Sequence, residues 1–313
     1  MFNTIDHQLR YRIKSVAAIT GLSTHVIRKW EERYALIQPV RSNNGYRTFS
    51  ERDIQVLLFL QTKLQQGETI GQVAHEGAAC IREALQHIPL NLSLIPPLYH
   101  QDTKELVQAA RDHNLERIQQ KIDRWIREMG LGTAMTTIIF PVLQLIGELW
   151  HQGGISISEE HRVSQLVRQY LLNAVRQEPS IGKPRALVAC VPGNYHEIAP
   201  LTATLILQQL GWNATHLGPN VSFDLLFMAL RRKQTQLMIL SCMLKPDEDI
   251  VSAWIKNITE HILPQCSVAM AGPGFVPYIQ LFKPYGIHYL DTIQDIKMFS
   301  LKPNGPYEVR NDF

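Results

Sequence analysis

The sequence predicts a multidomain α and α/β protein: an N-terminal winged helix-turn-helix, a central four-helix bundle and a C-terminal doubly wound parallel α/β domain of flavodoxin-like layout. Three observations predict it. Residues 11–53 join two short helical segments through a Gly-Leu-Ser turn and follow them with a hairpin signal. Residues 101–178 carry apolar side chains at helical spacing almost throughout. After Pro184, short apolar stretches alternate with helical segments, the pattern of a parallel sheet covered on both faces. The 313 residues suffice for two or three domains. The expected division is 1–86 for the helix-turn-helix domain, 87–100 for a linker, 101–180 for the bundle and 181–313 for the α/β domain.

Residues 1–9 read as a loose tail. Val16 to Thr20 reads as a helix, Gly21 as a tight turn, and Ser23 as the cap of a second helix running from Thr24 to about Tyr34. That helix bears His25, Arg28, Lys29 and Arg33, and its first turn suits a major groove while the basic side chains reach phosphates. Trp30 is assigned to the core. Asn44-Gly45 is a hairpin signal, so a two-stranded wing is expected, with Arg41, Tyr46 and Arg47 available to the DNA backbone. Over residues 1–52 nine Lys and Arg stand against four Asp and Glu, a local positive field suited to a polyanion. A merely solvated basic face is the alternative reading of that charge.

Residues 87–99 hold three prolines and few charges, the composition of a linker. In the bundle, Leu106, Ala109, Ala110, Leu115, Ile118, Ile122, Trp125, Ile126 and Met129 fall at helical spacing. Gly130 and Gly132 interrupt it. A further helix is expected from about Thr133 to Trp150, with Pro141 kinking it or marking its start, and Gly153-Gly154 ends it. Ser156 or Ser158 then caps the last helix, with Glu159 and Glu160 in its first turn. Strands are expected at 186–191, 214–217, 237–241, 267–272 and 287–290. Ligands of such sheets sit at the carboxyl ends of the strands, so the loops after Val191, Ser241 and Gly272 are the place for a site.

No run of eighteen uncharged apolar residues spans a membrane, and the N-terminal stretch has no apolar signal core. Cys80, Cys190, Cys242 and Cys266 are scattered and form no CxxC pair. A zinc site and a disulfide framework are therefore not expected, and the reducing cytoplasm is. No catalytic acid–base pair or nucleophile stands out, so no enzyme is expected.

Two constellations remain. Trp150-His151 ends one helix and Glu160-His161 opens the next, nine residues separating Trp150 from Glu160. His196 lies in the first strand-to-helix loop, Pro192 to Ala199. An imidazole there suits one axial position of a metal whose equatorial positions belong to a macrocycle. Taken singly, each of these residues also reads as packing or solvated surface.

The N-terminal segment resembles the MerR family of transcription regulators through Arg28, Trp30, Arg33, Tyr34, Leu36, Pro39, Arg41, Gly45, Tyr46, Arg47, Phe49 and Asp53. The resemblance implies binding of double-stranded promoter DNA as a dimer. The lone Cys80 and the proline-rich linker disfavour its metal-sensing branch. Farther on, the two constellations together resemble cobalamin-binding modules, most closely the light-sensing CarH/LitR-type branch of MerR regulators. That resemblance implies adenosylcobalamin as cofactor, with His196 in place of the lower base at cobalt. It also implies that Trp150, Glu160 and His161 cap the adenosyl group, and that His151 takes the upper position after light. His216-Leu217-Gly218-Pro219 and Ser241-Cys242-Met243-Leu244 agree with it, Ser241 lying near the nucleotide tail. Asn194 stands where the family has an acid that would polarise the imidazole. Ala199 stands where it has glycine, and Ala271-Gly272 where it has paired glycines. The implied protein is a light-responsive repressor, a dimer or tetramer on DNA. The alternative keeps the DNA reader and makes the C-terminal half a cofactor-free module for a protein partner. A corrinoid methyl carrier is a third reading.

Overall fold

The computed structural model describes residues 10–42, 44–75, 77–175, 182–232 and 235–301; the expected tail over 1–9 lies outside them. The N-terminal domain begins with β1 (Tyr11–Arg12), α1 (Ile13–Thr20) and α2 (Thr24–Tyr34). Ser23 Oγ accepts the Val26 N–H at 3.2 Å, which starts α2 as a cap should. Ile27 and Trp30 are its buried face and leave the basic residues outside. β2 (Val40–Arg41) and β3 (Arg47–Phe49) form the wing, and β1 pairs with the other edge of β3. A two-residue strand is too short for any periodic signal, which is why the sequence reading lacks β1. Asn44 and Gly45 lie in the turn of the wing, as the hairpin signal expects. Arg41 pairs with Arg47, and inside them Ser42 N–H bonds Tyr46 O at 2.9 Å. Buried Phe49 fixes the register of β3.

α3 (Glu51–Gln65) opens on a reciprocal capping box. Ser50 Oγ accepts the Asp53 N–H at 3.1 Å, and Asp53 Oδ2 accepts the Ser50 N–H at 2.8 Å. Asp53 Oδ1 also accepts the Gln38 N–H at 3.1 Å, tying the segment before the wing to α3. Replacing Asp53 by Ala strands two backbone donors at a buried site. It is expected to cost ~2 kcal/mol, read as a lowered unfolding midpoint; an unchanged midpoint would refute the tie. α4 (Ile70–His75) and α5 (Gly77–Gln86) complete this core.

The bundle helices are α6 (His100–Arg111), α7 (Leu115–Met129), a long helical run and α10 (Ile157–Ala174). The long run is α8 (Leu131–Ala134), a π-helical turn (Met135–Ile139) and α9 (Phe140–His151). Pro141 does not break it. The proline lacks an N–H, and the widened turn just ahead of it absorbs the missing bond. Leu131–His151 is long and apolar enough to cross a membrane by length and composition, yet 44% of its most apolar window is buried in the protein. Met135, Ile138, Val142, Leu145, Ile146 and Leu149 form its inner stripe, as in a core helix.

The chain divides into two compact units, residues 1–165 and 166–313, and the division falls within α10. The second half of α10 belongs to the second unit, where Arg168 pairs with Glu197. The sheet is parallel, its strands β4 (Arg185–Cys190), β5 (Asn213–Gly218), β6 (Leu237–Ser241), β7 (Ser267–Ala271) and β8 (His288–Leu290) running in the order β5-β4-β6-β7-β8. Successive residues feed opposite cores, as a period of two demands. Leu187, Ala189, Met238 and Leu240 pack on the side of α12 (Phe223–Arg232) and α13 (Glu248–Asn257). Ala186, Val188, Leu237 and Ile239 pack on the other side. There they meet Ala203 and Leu207 of α11 (Ile198–Gln209). Short α14 (Ile279–Phe282) precedes β8, and α15 (Ile293–Leu301) ends the described chain. The strand order reverses at β4, so the crevice for a ligand opens beside the loops after β4 and β6.

Candidate nucleic-acid interface and cofactor site

On α2, His25, Arg28, Lys29 and Arg33 are exposed and Thr24 is half-buried in the first turn. Arg41 and Tyr46 are exposed on the wing. Arg47 has another partner. Its Nε lies 2.9 Å from Glu31 Oε1 and 2.7 Å from Oε2, and this bond holds the guanidinium pKa above its ordinary value. Arg47 therefore braces the wing against α2, where the sequence reading gives it to the DNA backbone. Two cations that reading left unplaced join the face. Arg12 lies 5.9 Å from the Tyr46 ring centroid, and Lys14 is exposed at the start of α1. Their signal was the local charge excess; only the β1–β3 pairing shows where they stand.

The loop after β4 is built by its own polar atoms. Gly193 N–H bonds Asn220 Oδ1 at 2.7 Å, and Asn220 N–H bonds Asn194 O at 2.7 Å. Asn194 is 2% exposed, and its Oδ1 accepts the His196 backbone N–H at 3.1 Å. That bond shapes the loop backbone, and the Asn194 side chain also meets the Cys242 thiol. Tyr195 and His196 stand exposed between Asn194 and the buried Glu197. Glu197 accepts from Arg168 Nε and lies 3.2 Å from His216 Nε2. Burial holds the His216 imidazole below its ordinary pKa, outweighing the pull of Glu197. Sequence reasoning missed Glu197 and Arg168, because an acid in a loop has no spacing signal for a partner in a distant helix.

Ala199 is exposed on the first turn of α11, so its methyl crowds nothing within the chain. Ser241 is buried at the end of β6, in register with Cys190 and Ala271. Gly272 follows β7 with φ 98°, and a Cβ there would lie 2.5 Å from the Cys242 carbonyl oxygen. The loops after β6 and β7 touch backbone to backbone, which only glycine permits. Tyr195, Met243, Leu244 and Val276 expose apolar surface on the loops at this end of the sheet. Burial pushes the Cys190 thiol up to about 12, so it is no nucleophile.

The other constellation lies in the first unit. Trp150 and His151 end α9, their rings 4.4 Å apart. His151 is exposed, whereas Trp150 packs against the core of the DNA-binding domain with Nε1 buried and unpartnered. Glu160 Oε2 lies 2.6 Å from His161 Nδ1, and its Oε1 accepts from Ser164. Among the described residues no hydrogen bond or ring contact joins Trp150 or His151 to Glu160 or His161. The two pairs are therefore ordered separately.

A corrinoid fits the second unit. The loop after β4 offers one exposed imidazole beside an apolar rim, and an imidazole is a donor that a corrinoid cobalt accepts.

Comparison with known proteins agrees. Residues 11–76 match the MerR HTH family regulatory protein model, and residues 103–172 match the B12 binding domain model. The HTH-type transcriptional repressor CarH of Myxococcus xanthus is 29% identical over 214 residues, covering 67% of this chain and 71% of CarH. The repressor CarA of the same organism is 23% identical over 298 residues, covering 91% of this chain and 94% of CarA. The monomethylamine corrinoid protein of Methanosarcina barkeri shares the fold, with a TM-score of 0.50 at 12% identity over 63% of this chain and 96% of its own. Residues 11–76 thus match a MerR-type helix-turn-helix and residues 103–172 a B12 binding domain, the two parts followed by a parallel α/β sheet.

Proposed function

We propose that this regulator is a cytoplasmic, non-enzymatic repressor that binds double-stranded DNA as a homo-oligomer under the control of adenosylcobalamin and light. The observation that carries the reading is His196, an exposed imidazole in a loop fixed on both sides, at the point where strand order reverses. When bound, cobalamin would supply a cobalt centre and, in its adenosyl form, a bond that light breaks. His196 would hold the cobalt. Asn194 and Ala199 shape its loop, and Ser241, Met243 and Gly272 line the adjoining strand ends. Trp150, Glu160 and His161 would be the residues that contact the adenosyl group, and His151 would be a second imidazole for the cobalt. Thr24, His25, Arg28, Lys29, Arg33, Arg41 and Tyr46 face DNA. Control requires only that the ligand contact the DNA-binding and released states differently.

The test is an absorption spectrum after incubation with adenosylcobalamin and desalting in the dark, repeated after green light. Retained colour with a light-induced change is expected, and His196→Ala should lose the imidazole-ligated spectrum. Retained colour without change removes the light response. A colourless protein removes the cofactor and leaves the partner-responding module, a reading that the seat of Trp150 against the DNA-binding core favours.

A further inference from the structure

We propose that Arg168, Glu197 and His216 form a clamp that positions His196 for its ligand, with half-buried Arg168 tying the loop to α10. The inference rests on the reading of His196 as a cofactor ligand. Glu197 follows His196 directly in the chain and is turned inward, 8% exposed. Its two carboxylate oxygens have different partners, Oε1 on Arg168 Nε and Oε2 on His216 Nε2. On the other flank, Asn194 is 2% exposed and bonded to both Asn220 and the His196 backbone. The loop cannot slide along the sheet end without breaking the half-buried Arg168–Glu197 ion pair on one side or the buried Asn194 hydrogen bonds on the other. An ordinary surface histidine needs no such anchoring. A donor that must meet a metal with little reorganisation does.

The partners also come from informative places. His216 sits on β5, the strand beside β4, so the clamp joins the loop after β4 to the neighbouring strand. Arg168 sits on α10, two turns beyond Glu160-His161 on the same helix. A displacement of α10 along its axis would thus pull on the residue next to His196. Arg168, Glu197 and His216 are positioning residues; none touches the ligand itself.

The experiment uses the full-length protein labelled with [15N]histidine, loaded with cobalamin and reduced to the cobalt(II) form. Electron paramagnetic resonance then reads the nitrogen splitting of a protein imidazole on cobalt, and, in a parallel sample loaded with radiolabelled cobalamin, a chase with unlabelled cobalamin gives the dissociation rate. Wild type should show the histidine splitting. Glu197→Gln and Arg168→Met should lose at least half of that signal and release cobalamin tenfold or more faster. Arg168→Lys should restore both in part, which a purely structural role would not predict once unfolding midpoints of the ligand-free proteins are matched. If Glu197→Gln does not fold, the Arg168 pair carries the test, since it leaves the Glu197–His216 bond in place. Wild-type splitting and release in both Glu197→Gln and Arg168→Met would overturn the clamp alone. Failure of wild type to retain cobalamin would overturn the His196 reading and the clamp with it.

Discussion

Raising the salt from 50 to 200 mM is expected to weaken DNA binding by about a thousandfold for each DNA-binding domain engaged. Six cations face outward on α1, α2 and the strands beside them: Arg12, Lys14, Arg28, Lys29, Arg33 and Arg41. None of the six is in an ion pair among the described residues, so each is available to a phosphate. A slope near −0.9 per neutralised phosphate gives roughly −5 in log K against log salt, and a fourfold change in salt then gives about three decades. Binding titrations over that range check it, and a slope shallower than about −2 would show that the face is not the DNA contact. Within the series, Arg28→Ala should flatten the slope by about one. Arg47→Ala should lower affinity while leaving the slope unchanged, because its charge is already spent on Glu31 and its loss misplaces the wing. If both variants flatten the slope alike, the bracing role of Arg47 is wrong.

That contrast marks what the sequence could and could not tell. Type, order and approximate bounds of the elements were legible because they follow from short-range rules. Five apolar runs became the five strands, and Gly153-Gly154 and Ser156 mark the join of α9 to α10. The exposed basic face of α2 was legible for the same reason: Ile27 and Trp30 point inward, so Arg28 and Lys29 between them point out. Partner choice was not legible. Arg47 and Glu31 are sixteen residues apart and meet only because the wing folds over α2. Arg168 and Glu197 meet through a helix and a loop whose encounter no spacing encodes. Trp150 shows the limit most sharply. It ends the helix before Glu160 and His161, and nothing in that spacing tells that its ring lies against the core of the DNA-binding domain. Pairing across elements is a tertiary property, and a single sequence carries it only through resemblance.

The seat of Trp150 depends on the turn that follows it, and that turn gives the second large expected effect. Gly153→Ala is expected to destabilise the first compact unit by about 3–5 kcal/mol, lowering its unfolding midpoint by roughly 10 °C. Two costs add. Gly153 has φ 79°, a conformation that an L side chain resists, and a Cβ there would stand 2.2 Å from the backbone carbonyl oxygen of Gln55 in α3. That oxygen belongs to a buried helix and cannot swing aside, so the turn itself must lift. Lifting it strains the neighbouring links to the DNA-binding domain. Ser158 Oγ donates to Glu51 Oε2 at 2.7 Å, and Glu51 Oε1 accepts the Tyr11 hydroxyl at 3.1 Å. Gly154→Ala is the matched control. Its nearest clash is 2.9 Å to Ile88 Cδ1, the far end of a flexible side chain, and its φ is not in the left-handed region. Thermal unfolding of the two variants decides the matter: a much larger loss for Gly153→Ala is expected, and equal losses would mean that α3 does not rest on this turn. If the larger loss comes with faster proteolysis between α5 and α6, the turn is what holds the DNA reader to the bundle. A change at His151, two residues before Gly153, would then reach α3 through a backbone contact with no slack in it.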